Sequence, residues 1–165
     1  MKTLYLMRHA KSSWSFDDLT DEQRPLNGRG RDDAPLMGQA LAKRNIKLDL
    51  VLSSGAVRAM TTAALVAKEV EYPPEKLQVR PEIYHADTST LLSVVRSCPD
   101  EAQSVLLVGH NNGISEFANL LAPNSLSEEI PTAGIVCLHI QTDSWATVDR
   151  ANTEFYFFDR PRDNN

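Results

Sequence analysis

Cross-linking and metal-ligating chemistry is scarce in this sequence. Its two cysteines, Cys98 and Cys137, stand far apart with no CxxC pair, so they are expected as buried thiols and not as a disulfide. The four histidines form neither HExxH nor HxH, and no carboxylate stands at ligand spacing, so no metal and no cofactor is expected. No apolar run approaches the roughly 18 residues that a spanning helix needs. The first residues carry one lysine and a short apolar run broken by Arg8 and His9, which is not the pattern of a secretory leader. Basic residues are in the minority: 17 Lys and Arg face 22 Asp and Glu, a formal charge of −5 that argues against nucleic acid or an anionic membrane as partner. A phosphate ligand stays open, since it needs only a local positive pocket. Gly28-Arg29-Gly30 lacks the preceding strand and third glycine of a dinucleotide motif. With no repeat or linker, residues 1–165 are expected to form one domain, a cytoplasmic monomer with a tail frayed from about residue 160.

What is present is an alternation of strands and helices. Leu4-Tyr5-Leu6-Met7 is a short, uninterrupted apolar run that reads as a buried strand, with Arg8 and His9 at its carboxyl end. Residues 12–24 form a polar loop, whose Asp17, Asp18, Asp21 and Glu22 read as a solvated face and whose Trp14 and Phe16 read as loop pins. Asn27 caps a helix running to about Arg44, with Pro35 marking a kink or a later start. Leu48–Leu52 is a second strand, followed by an alanine-rich helix from about Ala56 to Val70 with Ser54 as its cap. Leu77–Val79 is a short strand, and Thr88 caps the next helix. Ser104–Val108 is the clearest buried strand, and Ile114–Leu121 is helical. Gly134–Ile140 and Ala146–Asp149 read as a strand pair around a Thr142-Asp143-Ser144 turn, and Glu154–Phe158 as an edge strand. The expected fold class is α/β: a three-layer α/β/α sandwich with a mostly parallel central sheet.

Three of the expected parallel strands end in matching chemistry: Arg8-His9, Ser53-Ser54-Gly55 with Arg58 just beyond, and Gly109-His110. In open α/β sheets ligands sit in the crevice at the carboxyl ends of the strands, so two arginines and two histidines should meet there. Arg58 falls in the first turn of its helix, where the dipole and free N–H groups already favour an anion. Guanidinium forks suit phosphoryl oxygens and supply the charge that Mg²⁺ would otherwise bring. His139, on the antiparallel pair, reads as structural.

Leu6-Met7-Arg8-His9-Ala10-Lys11-Ser12 resembles the signature of the histidine phosphatase superfamily, whose fold is phosphoglycerate-mutase-like. Arg24-Pro25-Leu26-Asn27-Gly28-Arg29-Gly30, with the RHAKS form, is similar to its SixA-type phosphohistidine phosphatase branch. Residues 53–63 and Val108-Gly109-His110-Asn111-Asn112-Gly113 resemble the second and third motifs, in the same order along the chain. Larger members of that superfamily insert helical material between the Arg58 helix and the His110 strand; the short connection here leads to the expectation of a minimal fold without a large helical cap. The resemblance implies His9 as nucleophile, Arg8 and Arg58 as clamps on the phosphoryl oxygens, and His110 as a donor to the phosphoryl group. Ser12 and Asn111 are further candidate phosphate-binding residues. For His9 to attack, a neighbour must hold the proton of its other nitrogen.

Many relatives carry a glutamate after the third strand that protonates the leaving group. Here Glu82 and His85 are the candidate acids. The expected activity is metal-independent removal of phosphate from phosphohistidine in a protein, such as a phosphotransfer domain, since imidazole leaves with less help than an alkoxide. The alternatives are a small-molecule phosphomonoesterase on the same site and a non-catalytic phosphoprotein-binding module.

Overall fold

Leu4, Tyr5, Leu6 and Met7 form the middle of a strand, β1 (Lys2–Arg8), that has hydrogen-bonded partners on both sides and helices over both faces. That double burial explains their uninterrupted apolarity. The computed structural model describes residues 1–165. In chain order follow α1 (Gly28–Lys43), β2 (Leu50–Ser53), α2 (Val57–Glu69), β3 (Gln78–Val79), α3 (Thr88–Arg96), β4 (Ser104–Gly109), α4 (Gly113–Leu121), β5 (Ile135–Ile140) and β6 (Thr153–Asp159). The sheet order is β3-β2-β4-β1-β5-β6. β3, β2, β4 and β1 run parallel, while β5 is antiparallel to both of its neighbours, β1 and β6. No helix is long and apolar enough to cross a membrane.

Side-chain alternation splits the core in two. Tyr5 and Met7 pack with Val51, Leu106 and Val108 beneath Met37 and Leu41 of α1 and Ala63 and Val66 of α2. Leu4 and Leu6 pack with Leu52, Val105 and Leu107 beneath Leu91 and Val94 of α3 and Phe117 of α4. Burying each such side chain contributes about 1.5–3 kcal/mol. Cys98 and Cys137 are free and buried within these clusters, and burial pushes their thiols up to about 11 and about 12.

Several local expectations change. α1 runs through Pro35 unbroken, capped by Asn27, whose side chain accepts from Gly30 N–H at 2.9 Å. Only the bond to the Arg31 carbonyl is lost at the proline, and packing on α2 outweighs it. α3 is capped by Asp87 and not by Thr88, because the Asp87 carboxylate reaches Thr90 N–H at 2.9 Å. Ala146–Asp149 is no strand: Trp145–Thr147 is a 3₁₀ turn, and β5 pairs instead with β6. Fully buried Trp145 holds that turn by donating its indole N–H to the Ala102 carbonyl at 2.7 Å. The tail from Arg160, expected to fray, closes a turn at Pro161–Asp163, with Pro161 buried and Asn164 donating to Asp159 at 2.7 Å.

Register then sets the site. Arg8 pairs with Gly109, and Ser53 with Val108, so the carboxyl ends of β1, β4 and β2 lie nearly level. His9, His110 and Ser54 therefore emerge together at one edge. α1 closes on this edge at Gly30, where any Cβ would run into the Lys11 carbonyl oxygen.

Candidate active site

The level strand ends open on a cavity of about 220 Å³. Four of its lining residues are cations (Arg8, Lys11, Arg24, Arg58) and three are histidines (His9, His85, His110); none is a carboxylate. Ser12, Trp14, Asn111 and Thr132 complete the wall. Such a lining suits an anion.

His9 is buried, and its Nδ1 lies 2.7 Å from the Ala10 carbonyl oxygen. A carbonyl only accepts, so Nδ1 carries the ring proton and Nε2 keeps a free lone pair. Burial, with Arg58, Arg8 and Arg24 behind it, depresses the imidazole to about 4, against the opposing pull of the Ala10 carbonyl. At neutral pH the ring is therefore uncharged, with Nε2 unprotonated. Ala10 is itself fixed from α2: its N–H donates to Thr62 Oγ1 at 2.9 Å, and that hydroxyl donates to the Arg58 carbonyl at 2.7 Å.

The guanidiniums are held by different means. Arg8 donates through Nη1 to the Ile130 carbonyl at 3.1 Å. Arg58, in the first turn of α2 as expected, donates from Nη1 to the Asp21 carbonyl at 2.6 Å and from Nη2 to Asp21 Oδ2 at 2.9 Å. Asn111 Oδ1 accepts from Ser115 Oγ at 2.6 Å, which leaves its amide N–H₂ as the free end. Arg8 Nε, Arg58 Nε and Asn111 Nδ2 are buried donors with no partner in the protein. Three unpaired donors on lining residues mark capacity for an acceptor-rich anion.

His9 and His110 face each other across the pocket with their rings tilted at 55° and their centroids 5.1 Å apart. His110 Nε2 lies 2.7 Å from Ser54 Oγ, and Nδ1 lies 3.4 Å from Arg58 Nη2. Burial, then His9, Arg58 and His85, depress it to about 3.

Ser54 is thus no helix cap. α2 starts at Val57 after Ala56, whose backbone N–H is 3.3 Å from Ser54 Oγ, and the hydroxyl turns to His110. Asp21 is no member of a solvated face either. Its carboxylate joins Arg24, Arg58 and Tyr84 at 3.1, 2.9 and 2.5 Å, with His85 Nε2 at 3.7 Å. The Tyr84 hydroxyl and then the two arginines hold it well below the usual carboxylate range.

Arg24 is a third arginine that motif spacing did not single out. It is buried and donates to Ser12 Oγ at 2.7 Å, while Trp14 lies over its guanidinium at 3.6 Å. Trp14, expected to pin its loop, instead stands 75% exposed on the cavity wall. The clue to Arg24 was its place in the RPLN run. Of the two candidate acids, His85 lines the cavity and stacks on Tyr84 at 4.1 Å. Glu82 is not among the lining residues, and its carboxylate is bound by Arg80 at 3.0 Å. His139 stacks on Tyr156 at 4.2 Å on the outer strands, away from the cavity.

Comparison with known proteins fits this geometry into a class. The structure of the protein histidine phosphatase SixA complexed with tungstate superposes with a TM-score of 0.82 at 22% identity, covering 98% of both chains. That of the putative phosphohistidine phosphatase SixA from Agrobacterium tumefaciens gives 0.78 at 27% identity, covering 97% of this chain and 98% of that one. Fold and cavity together define a phosphatase with the phosphoglycerate-mutase-like α/β fold. The chain belongs to the histidine phosphatase superfamily (branch 1), whose family model matches residues 4–91. An uncharacterized protein of Mycobacterium tuberculosis is 33% identical over 165 residues, or 94% of this chain and 100% of that protein.

Proposed function

We propose that this phosphatase removes the phosphoryl group from phosphohistidine on another protein, by way of a phosphohistidine formed on its own His9. The observation that carries the chemistry is the Ala10 carbonyl on His9 Nδ1, which leaves Nε2 free in a pocket of arginines. Nε2 attacks phosphorus, the new N–P bond forms, and the substrate's N–P bond breaks. Arg8, Arg24 and Arg58 hold the phosphoryl oxygens, with Ser12 and Asn111 as further donors, and His110 donates as charge moves onto oxygen. The departing imidazole takes a proton from water or from His85. Water then attacks phosphorus, releasing inorganic phosphate and restoring His9.

Substrate choice follows from the mouth. Residues 70–87 hold only the two-residue β3 and short 3₁₀ turns, so no helical layer roofs the cavity. Trp14 and His85 stand 75% and 65% exposed at its edge. A side chain presented on another protein, such as a phosphotransfer domain, can enter there. The acid on offer is an imidazole, which suffices for an imidazole leaving group. The structural neighbours named for phosphohistidine agree with this reading.

The test is kcat/KM across phosphohistidine proteins, aryl phosphates and alkyl phosphates, repeated for His85→Ala and Glu82→Gln. Phosphohistidine protein and aryl phosphates should be fast and alkyl phosphates slow, with Glu82→Gln unchanged. If a sugar phosphate or phosphoglycerate is turned over faster and His85→Ala selectively loses it, the protein is a small-molecule phosphomonoesterase.

A further inference from the structure

His110 presents a problem that the proposed mechanism leaves unsolved. Burial keeps its ring neutral at working pH, with the imidazole depressed to about 3. A neutral imidazole has one N–H, on one nitrogen only. If that proton sat on Nε2, the other nitrogen would turn a lone pair toward the group that Arg58 binds, and an anionic phosphoryl oxygen would be repelled. Something must choose the tautomer.

Proton accounting at Ser54 makes the choice. Ser54 is fully buried, and its hydroxyl has two hydrogen-bond partners: the Ala56 backbone N–H at 3.3 Å and His110 Nε2 at 2.7 Å. The Ala56 N–H can only donate. The one acceptor within reach of the Ser54 O–H is therefore Nε2 of His110. In the opposite arrangement, Nε2–H would donate to Oγ and the buried hydroxyl hydrogen would have no acceptor, which native interiors avoid. The contact that would favour that arrangement, Arg58 Nη2 donating to Nδ1, spans 3.4 Å and lies outside the usual 2.7–3.2 Å range. Nδ1 has no other hydrogen-bond partner in the protein. It belongs to a cavity-lining residue and stands beside the guanidinium that binds phosphate.

We propose that Ser54 is a positioning residue that fixes the proton of neutral His110 on Nδ1 and so makes that nitrogen a donor to the phosphoryl group. The role of the donor rests on the phosphatase reading above; the tautomer itself does not. Ser54 and Arg58 stand four residues apart, one just before α2 and one in its first turn, so a single segment delivers both the clamp and the residue that orients the second histidine. Ser54 never touches substrate: it acts through His110.

The experiment is ¹⁵N NMR of the imidazole nitrogens in the intact protein, free and with inorganic phosphate, with His110→Asn identifying the His110 signals. The expected result is a protonated-nitrogen shift at His110 Nδ1 and an unprotonated shift at Nε2, in both states. Ser54→Ala should move the proton to Nε2 and lower kcat for an aryl phosphate about 10²-fold, the scale on which one donor to a developing oxyanion counts. KM should change little. Ser54→Thr, which keeps the hydroxyl, should restore both tautomer and kcat. A proton on Nε2 in the wild type overturns the proposal, as does a Ser54→Ala variant that keeps the wild-type tautomer. Absence of turnover with a correct tautomer would indict the phosphatase reading instead. If Ser54→Ala fails to fold, the wild-type spectrum and Ser54→Thr still decide.

Discussion

Acid should weaken this protein through its two buried histidines. His9 and His110 are depressed to about 4 and about 3 in the folded chain, chiefly by burial, whereas an unfolded histidine titrates near 6.5. As pH falls below about 6.5 the unfolded chain takes up protons that the folded chain refuses, so each histidine's contribution is complete above that pH and is lost on the way down. Between pH 7 and pH 5 each ring should cost about 2 kcal/mol of stability by linkage, or about 3–4 kcal/mol for the pair. Both rings are still neutral at pH 5 in the folded state, so their mutual repulsion does not enter. For a chain of this size that loss corresponds to about 7–14 °C in Tm. The assay is urea unfolding at pH 5, 6 and 7 on the wild type, His9→Asn, His110→Asn and the double variant. Each single substitution should remove about half of the pH 5 to pH 7 difference, and the double variant nearly all that is attributable to this pair. An unchanged slope in His9→Asn would refute the claim that His9 is neutral and buried in the folded state.

Two further outcomes follow from the packing. Arg24→Ala should lower kcat/KM about 10²–10³-fold, the loss expected for one donor to phosphoryl oxygens, and Arg24→Lys should recover little because an ammonium cannot hold Ser12 and Asp21 in one planar fork; steady-state kinetics on an aryl phosphate reads both. Gly30→Ala should destabilise by about 1–3 kcal/mol, since its Cβ meets backbone at Lys11 that cannot rotate away, and the urea midpoint should fall accordingly.

The residues legible in the sequence were those that stand at a strand end. Arg8, His9 and His110 each close an apolar run, and Arg58 sits in the first turn of the helix after β2, so local pattern alone brought them together. Asp21, Arg24, Ser54, Thr62 and Tyr84 were not legible because each acts across the chain. Asp21 reaches Arg58 and Tyr84 from a loop that reads as solvated, and Thr62 reaches back to Ala10 from α2. Ser54 looked like a cap because serine before a helix usually is one; a histidine more than fifty positions later claims its hydroxyl. The same holds for Trp145, whose burial against Ala102 turns an expected strand into a 3₁₀ turn and hands the pairing of β5 to β6. Alternation of strand and helix sufficed for the layers, because it depends on which side chains are apolar and not on which distant residue they meet.

The central claim is that His9 Nε2 takes the phosphoryl group. Rapid quench with a labelled phosphohistidine protein, followed by peptide mapping and ³¹P NMR of the trapped species, tests it directly. The account predicts an acid-labile, alkali-stable label on His9, bonded at Nε2 because the Ala10 carbonyl occupies Nδ1, and neither label nor turnover in His9→Ala. Label on any other residue, linkage through Nδ1, or wild-type turnover by His9→Ala would contradict it.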